Sequence, residues 1–199
     1  MSPSTPEPRS LTAPAAAALL LLSAGLASPT PALADGDEPA LWTAGLAVGA
    51  GALWTRDCDS SGCAPTSRFA RVSGLNLKVG PMVSPKVALL LYLPSGIHLR
   101  DGKPRSFEGV EAALQVWLGD GFWLLAGAGL TLDVPVLFTA TTGFYFGPGA
   151  SVAAGLELWR SGRTVLEVQA RTMAGWCYLD GGSRRTGVAV DGLVGLAWR

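Results

Sequence analysis

An alternation with a period of two residues runs through the C-terminal third of this chain, and it limits the possible folds more than any other feature. From Phe144 to Leu158 one parity reads Phe144, Phe146, Pro148, Ala150, Val152, Ala154, Leu156, Leu158. The other reads Tyr145, Gly147, Gly149, Ser151, Ala153, Gly155, Glu157. Thr164–Tyr178 sets Leu166, Val168, Ala170, Thr172, Ala174 and Trp176 against Glu167, Gln169, Arg171 and Gly175. Arg185–Trp198 sets Val188, Val190, Val194, Leu196 and Trp198 against Gly187, Ala189, Asp191 and Gly195. Successive side chains of a strand point to opposite faces, so each segment has one apolar wall and one small or polar wall.

The same reading from residue 40 onward predicts strands at about 40–55, 67–83, 87–99, 106–118, 122–133, 144–159, 164–178 and 185–198. The third is apolar on both faces over Val87–Leu93. The 26 glycines argue against a long-helix protein. The apolar runs Val87–Leu93 and Phe122–Leu132 are too short or too broken by glycine to cross a bilayer as helices. A soluble sheet or a membrane barrel remains.

The sense of the alternation chooses between them. A soluble ligand-binding barrel holds apolar residues inside. Here the polar set is mostly Gly, Ala and Ser with a few charges, too sparse for a surface in water. Small residues suit a narrow barrel interior, and the continuous apolar wall then faces lipid. Composition agrees: 49% of the chain is hydrophobic and 15% is charged, against about 25% charged in soluble domains. Lys+Arg and Asp+Glu both total 15, so no basic surface for nucleic acid is expected.

The first 34 residues read as an export signal. Ala13–Ala27 is a short apolar core, and Ala32-Leu33-Ala34 offers small residues where a signal peptidase cuts. The expected organisation is a signal over 1–34, a short periplasmic segment over 35–39, and a barrel over 40–199. A single membrane anchor is the alternative for the apolar core.

Connections alternate in length. The long ones are expected at about 56–66, 94–105, 134–143 and 179–184. The short ones are Ser84-Pro85-Lys86, Gly119-Asp120-Gly121 and Arg160-Ser161-Gly162-Arg163. Transmembrane barrels pair long outer loops with short periplasmic turns. All 7 tryptophans fall near strand ends, as an interfacial belt requires. Trp42, Trp117, Trp123, Trp159 and Trp198 fall at the inner end; Trp54 and Trp176 fall at the outer end with Phe69, Phe107, Phe144 and Tyr178. The expected aromatic girdle is Trp42, Trp54, Trp159, Trp176 and Trp198. Trp117 and Trp123 have inward parity and are expected to close the floor. Trp42 and Trp54 share a parity; at roughly 3.3 Å per residue and a ~40° tilt they stand about 30 Å apart in height.

On these segments, turns and aromatics, residues 40–199 resemble the small eight-stranded outer-membrane barrels: the OmpA transmembrane domain, OmpX, OmpW and opacity-type proteins. The resemblance implies an all-β, antiparallel up-and-down barrel in the outer membrane of a Gram-negative cell. It implies outer-membrane lipids, lipopolysaccharide and the barrel-assembly machinery as partners. The final strand, VAVDGLVGLAWR, departs from the families' terminal aromatic by adding Arg199 after Trp198.

Inward parity collects Asn76, Lys78, Glu111, Gln115, Glu157, Glu167, Gln169, Arg171 and Asp191. Charges in a narrow lumen must be paired, so a network is expected, with Lys78–Glu111 and Arg171–Asp191 as the best neighbour-strand pairs. It serves either as a plug or as an ion or proton path, the plug being the simpler reading. Cys58 and Cys63 are expected to close a disulfide in the first outer loop. Cys177 is left over, free or paired with a loop cysteine. His98, the single histidine, is expected to be exposed or interfacial. Lipid A deacylases, also small barrels, carry Ser two residues from His; here those positions are Gly96 and Arg100, with Ser95 and Ser106 off the pattern. No nucleotide loop, metal spacing or cofactor motif occurs. The expected function is a non-enzymatic membrane barrel acting structurally or through its outer loops. Loop two, with Arg100, Lys103 and Arg105, is the most basic. The alternatives are an outer-leaflet lipid-modifying enzyme and a soluble periplasmic ligand-binding barrel.

Overall fold

A computed structural model describes residues 41–136 and 143–199. The expected signal and periplasmic segments therefore lie outside the described residues. The chain forms strands β1 (Trp42–Asp59), β2 (Gly62–Cys63), β3 (Ser67–Ser84), β4 (Val87–Leu93), β5 (Ile97–Arg100), β6 (Lys103–Trp117), β7 (Phe122–Pro135), β8 (Tyr145–Ser161), β9 (Thr164–Tyr178) and β10 (Arg184–Trp198). β2 is a small arm folded back onto β1. β4 and β5 are two halves of one stave, bent at Pro94-Ser95-Gly96. Every pairing is antiparallel, and β1 bonds both β3 and β10. The eight staves therefore close on themselves as a ring, so each stave has a hydrogen-bonding neighbour on both sides.

The two walls differ in chemistry. In β10 Val188, Val190, Val194, Leu196 and Trp198 face out, and Arg185, Gly187, Ala189, Asp191 and Leu193 face in. Val194 is 52% exposed and Val152 58%, whereas Arg171 is 1% and Asp191 2%. Leu75, Leu89, Leu91, Leu114, Leu124 and Leu130 extend the outer apolar surface around the ring. A soluble monomer rarely exposes an apolar surface of this extent. The inside is packed because interior glycines admit large neighbours. A Cβ at Gly155 would lie 2.2 Å from Trp123, and one at Gly96 would lie 2.0 Å from the Arg71 guanidinium.

The second outer connection differs from the expected long loop over 94–105. The third stave continues to Arg100, and the chain reverses at Asp101-Gly102, with φ of 51° and 73°. Two positive φ values in a two-residue hairpin suit the right-handed twist of the flanking strands, and Asp-Gly tolerates them. Arg100 and Arg105 are thereby drawn into the lumen. The remaining outer connections join β1 to β3, β7 to β8, and β9 to β10. Part of the second of these, 137–142, lies outside the described residues.

Candidate functional site: the charged lumen

The alternation turns titratable side chains inward from every stave, and they sort into three tiers. At the floor, Lys78 on β3 donates to Glu167 Oε1 on β9 at 2.7 Å, and its ammonium stands 4.2 Å from the centre of the Trp123 ring. Lys78 therefore pairs with Glu167, not with the expected Glu111. β3 and β9 are not neighbours in the sheet; the pair meets across the lumen, which is narrow enough in an eight-stranded barrel for facing side chains to touch. Trp117 Nε1 donates to Glu157 at 2.9 Å. Arg160 and Arg199 also hold Glu157, each at 2.7 Å. The Arg199 guanidinium lies 4.5 Å from the centre of the Trp117 ring, and its backbone N–H reaches Arg163 O at 3.0 Å. The residue that follows the terminal aromatic thus caps the floor. Trp117 and Trp123 are both buried there.

At mid-height, Arg171 on β9 and Asp191 on β10 sit directly opposite one another. Arg171 Nε donates to Asp191 Oδ2 at 3.1 Å, and Nη2 bonds the same oxygen. The guanidinium also reaches Ser73 Oγ at 2.8 Å, Asn76 Oδ1, and Tyr92 Oη at 3.4 Å. Arg71 is a second cation on the same acid. Its Nε lies 3.3 Å from Asp191 Oδ1, as a charge contact outside hydrogen-bond alignment. Its Nη2 reaches Phe107 O at 3.3 Å. Asn76 Nδ2 donates to Ala47 O and Gly74 O, at 3.1 and 2.8 Å. Glu111 accepts from Ser151, and Gln115 is buried on the same stave. Gln169 is buried on β9, on the same wall as Glu167 and Arg171.

Near the outer mouth, charges alternate in a chain. Arg105 Nε donates to Asp133 Oδ1 at 2.7 Å, and Arg185 Nη1 bonds the other Asp133 oxygen. Arg185 also forks onto Asp57, at 2.7 and 3.0 Å. Arg100 reaches Asp57 Oδ2 at 2.7 Å. Five side chains from β6, β7, β10, β1 and β5 are thus linked near the mouth, with the Tyr145 ring 5.4 Å from the Arg105 guanidinium and 5.9 Å from that of Arg185. Bidentate Arg–carboxylate contacts of this kind add geometric specificity to charge.

Parity counting did not find Arg71, Ser73, Asp57, Asp133, Arg105 and Arg185. The cause for Arg71 and Ser73 is a bulge in β3: Ala47 pairs with Asn76 but Gly49 pairs with Ser73. The extra residue switches the inward parity from odd to even along one strand. An apolar series that shifts from Val72 to Leu75, Leu77 and Val79 is the sequence trace of that switch. Asp57 and Arg105 lie where β1 and β6 extend farther out than the pattern suggested, whereas Asp133 and Arg185 are terminal residues of the predicted strands that share the inward parity.

Two expected outer-end aromatics turn inward. Phe107 is 1% exposed, and Phe69 packs on His98 with ring centroids 5.3 Å apart. His98 is accordingly buried in the lumen instead of exposed, and no hydrogen bond joins it to Ser95 or Ser106. Trp42, Trp159, Trp176 and Trp198 stand on the outer wall, as does half-buried Trp54. Phe144 and Tyr178 are exposed at the outer end. Cys58 and Cys63 are disulfide-bonded, and Cys177 is free and buried. In the same loop the Ser61 hydroxyl and N–H hold the Asp59 carboxyl below its usual range. Among the described residues no three His, Cys, Asp or Glu side chains are grouped to hold a metal.

No protein-family model and no curated protein sequence matches the chain. Solved structures do. Neisserial surface protein A superposes with a TM-score of 0.52 at 10% identity, over 81% of this chain and 99% of that one. The outer membrane protein AlkL matches with a TM-score of 0.43 at 15% identity, over 86% and 95%. The N-terminal barrel domain of Pseudomonas aeruginosa OprF matches at 0.39 and 14% identity, over 78% and 97%. The first of these, together with the closed antiparallel ring and its apolar outer wall, identifies the fold: a small eight-stranded transmembrane β-barrel.

Proposed function

We propose that this protein is an exported, non-enzymatic barrel of the outer membrane, with a lumen plugged by its own side chains and an outer rim that serves structure or recognition. One observation carries the reading: charged residues lie inside in compensating sets while Val, Leu and Trp line the outside. A charge inside such a barrel is costly unless it is paired, and the tiers leave little of the lumen to solvent. Partners would meet the β1–β3, β7–β8 and β9–β10 connections, because loops on a rigid scaffold commonly carry recognition. Loop two is a tight hairpin and offers only Lys103 and Asp101 outward. Assembly would follow export by the N-terminal signal and insertion by the barrel-assembly machinery. No observation favours lipid hydrolysis, because His98 packs on Phe69 and bonds no serine.

Planar-bilayer recording of the purified, detergent-folded protein tests the plug. The expected record is a silent bilayer, with protein insertion verified by a heat-modifiable gel band. Stable unit conductance steps would refute the plug.

A further inference from the structure

Three arginines stand apart from the lumen. Arg56 on β1, Arg68 on β3 and Arg184 on β10 are exposed on the outer wall, on three adjacent staves. Register fixes their spacing. Cys58 pairs with Arg184 and Thr55 with Ser67, so Arg56 is diagonal to both Arg184 and Arg68. Diagonal neighbours on one face lie about 7–8 Å apart, within reach of long side chains. None of the ion pairs among the described residues engages these three. Two acids on β1 are committed elsewhere: Asp57 points inward to Arg185 and Arg100, and Asp59 binds Ser61. Three cations at this spacing repel unless an anion joins them.

Their height identifies the anion. Arg56 lies two residues beyond Trp54, about 5 Å farther out along a tilted strand. Trp54 marks the outer end of the apolar band, and Trp176 and Tyr178 flank the same patch on β9. Arg68 lies over the Trp54 ring at 5.5 Å, and Arg56 Nε is tied to Ala64 O at 3.3 Å, so two of the three are braced. Cations held just above an aromatic girdle stand at the level of lipid headgroups. Guanidinium groups bind phosphate oxygens by paired, charge-assisted hydrogen bonds.

We propose that Arg56, Arg68 and Arg184 form one site on the barrel exterior for the phosphate groups of an anionic lipid in the outer leaflet. The site rests on the membrane reading above, and it gives the barrel a fixed orientation and a preferred lipid neighbour. The rim thus has two charge systems: an internal one that is self-paired and an external one that is completed by lipid.

Native mass spectrometry of the folded protein tests the proposal, with diphosphorylated lipid A as probe and its dephosphorylated form and inorganic phosphate as comparison arms. Wild type should retain the phosphorylated probe at least about tenfold more tightly than the R56Q/R68Q/R184Q variant. The single variant Arg56→Gln should fall between them, and Lys103→Gln should match wild type. The heat-modifiable band verifies that each variant is folded. Equal retention by wild type and the triple variant, or by both lipid forms, would overturn the site. Displacement by inorganic phosphate at the probe's own concentration would overturn the lipid assignment. Release of wild type from washed membranes without detergent would instead sink the membrane reading, and the site with it.

Discussion

Asp191 is the acid on which the mid-height tier depends, and removing its charge should be costly. It faces Arg171 directly and also lies beside Arg71, all three of them buried. Asp191→Asn keeps the shape and leaves two buried guanidinium groups with Glu111 as the remaining acid of that tier. Breaking a buried pair by removing one partner costs about 3–5 kcal/mol, because the orphaned charge stays desolvated. With a urea slope of about 2 kcal/mol/M, the unfolding midpoint should fall by roughly 1.5–2.5 M. The assay is urea unfolding of the folded barrel in lipid vesicles, followed by tryptophan emission and the heat-modifiable band. The triple variant D191L/R71M/R171M removes the whole charged set and should recover most of the loss, since an apolar replacement of similar volume is often neutral. A midpoint for Asp191→Asn within about 0.5 M of wild type would show that Arg71 and Arg171 do not depend on this acid, as would a triple variant less stable than the single one.

Two further outcomes follow from the same geometry. Lys78→Met and Glu167→Leu should each destabilise by about 3 kcal/mol or more, while K78M/E167L returns near wild type; a double-mutant cycle in the urea assay measures the coupling. On the outer wall depth decides the effect: Val194→Arg, near mid-height, should cost about 2–4 kcal/mol, and Thr186→Arg, beside Arg56, about 0–1 kcal/mol, both read by the same unfolding curves.

The sequence made the walls legible because a strand's period of two is rigid and lipid demands an unbroken apolar face. β9 and β10 alternate without interruption, so Arg171, Asp191 and the outward Val194 could be read from parity alone. β3 contains a bulge, and one extra residue near Gly74 hid Arg71 and Ser73 from the same count. Register across the lumen was beyond a one-dimensional reading. Lys78 and Glu167 are 89 residues apart and three staves apart, and they meet because the barrel is narrow. Loop two misled for a local reason. Pro94, Ser95 and Gly96 carry loop composition but form a bend inside a stave, and the true reversal is the Asp-Gly pair that follows. His98, Phe69 and Phe107 went inward with that extension of the third stave and its neighbours.

Spin labels on single cysteines resolve which wall touches hydrocarbon. With Cys58, Cys63 and Cys177 replaced by serine, labels at Val194 and at Leu193 are compared in proteoliposomes for relaxation by oxygen, which partitions into lipid, and by a water-soluble nickel chelate. Oxygen should dominate at Val194, and both reagents should be ineffective at Leu193. Strong relaxation by the nickel chelate at Val194 would contradict the lipid-facing placement of that wall.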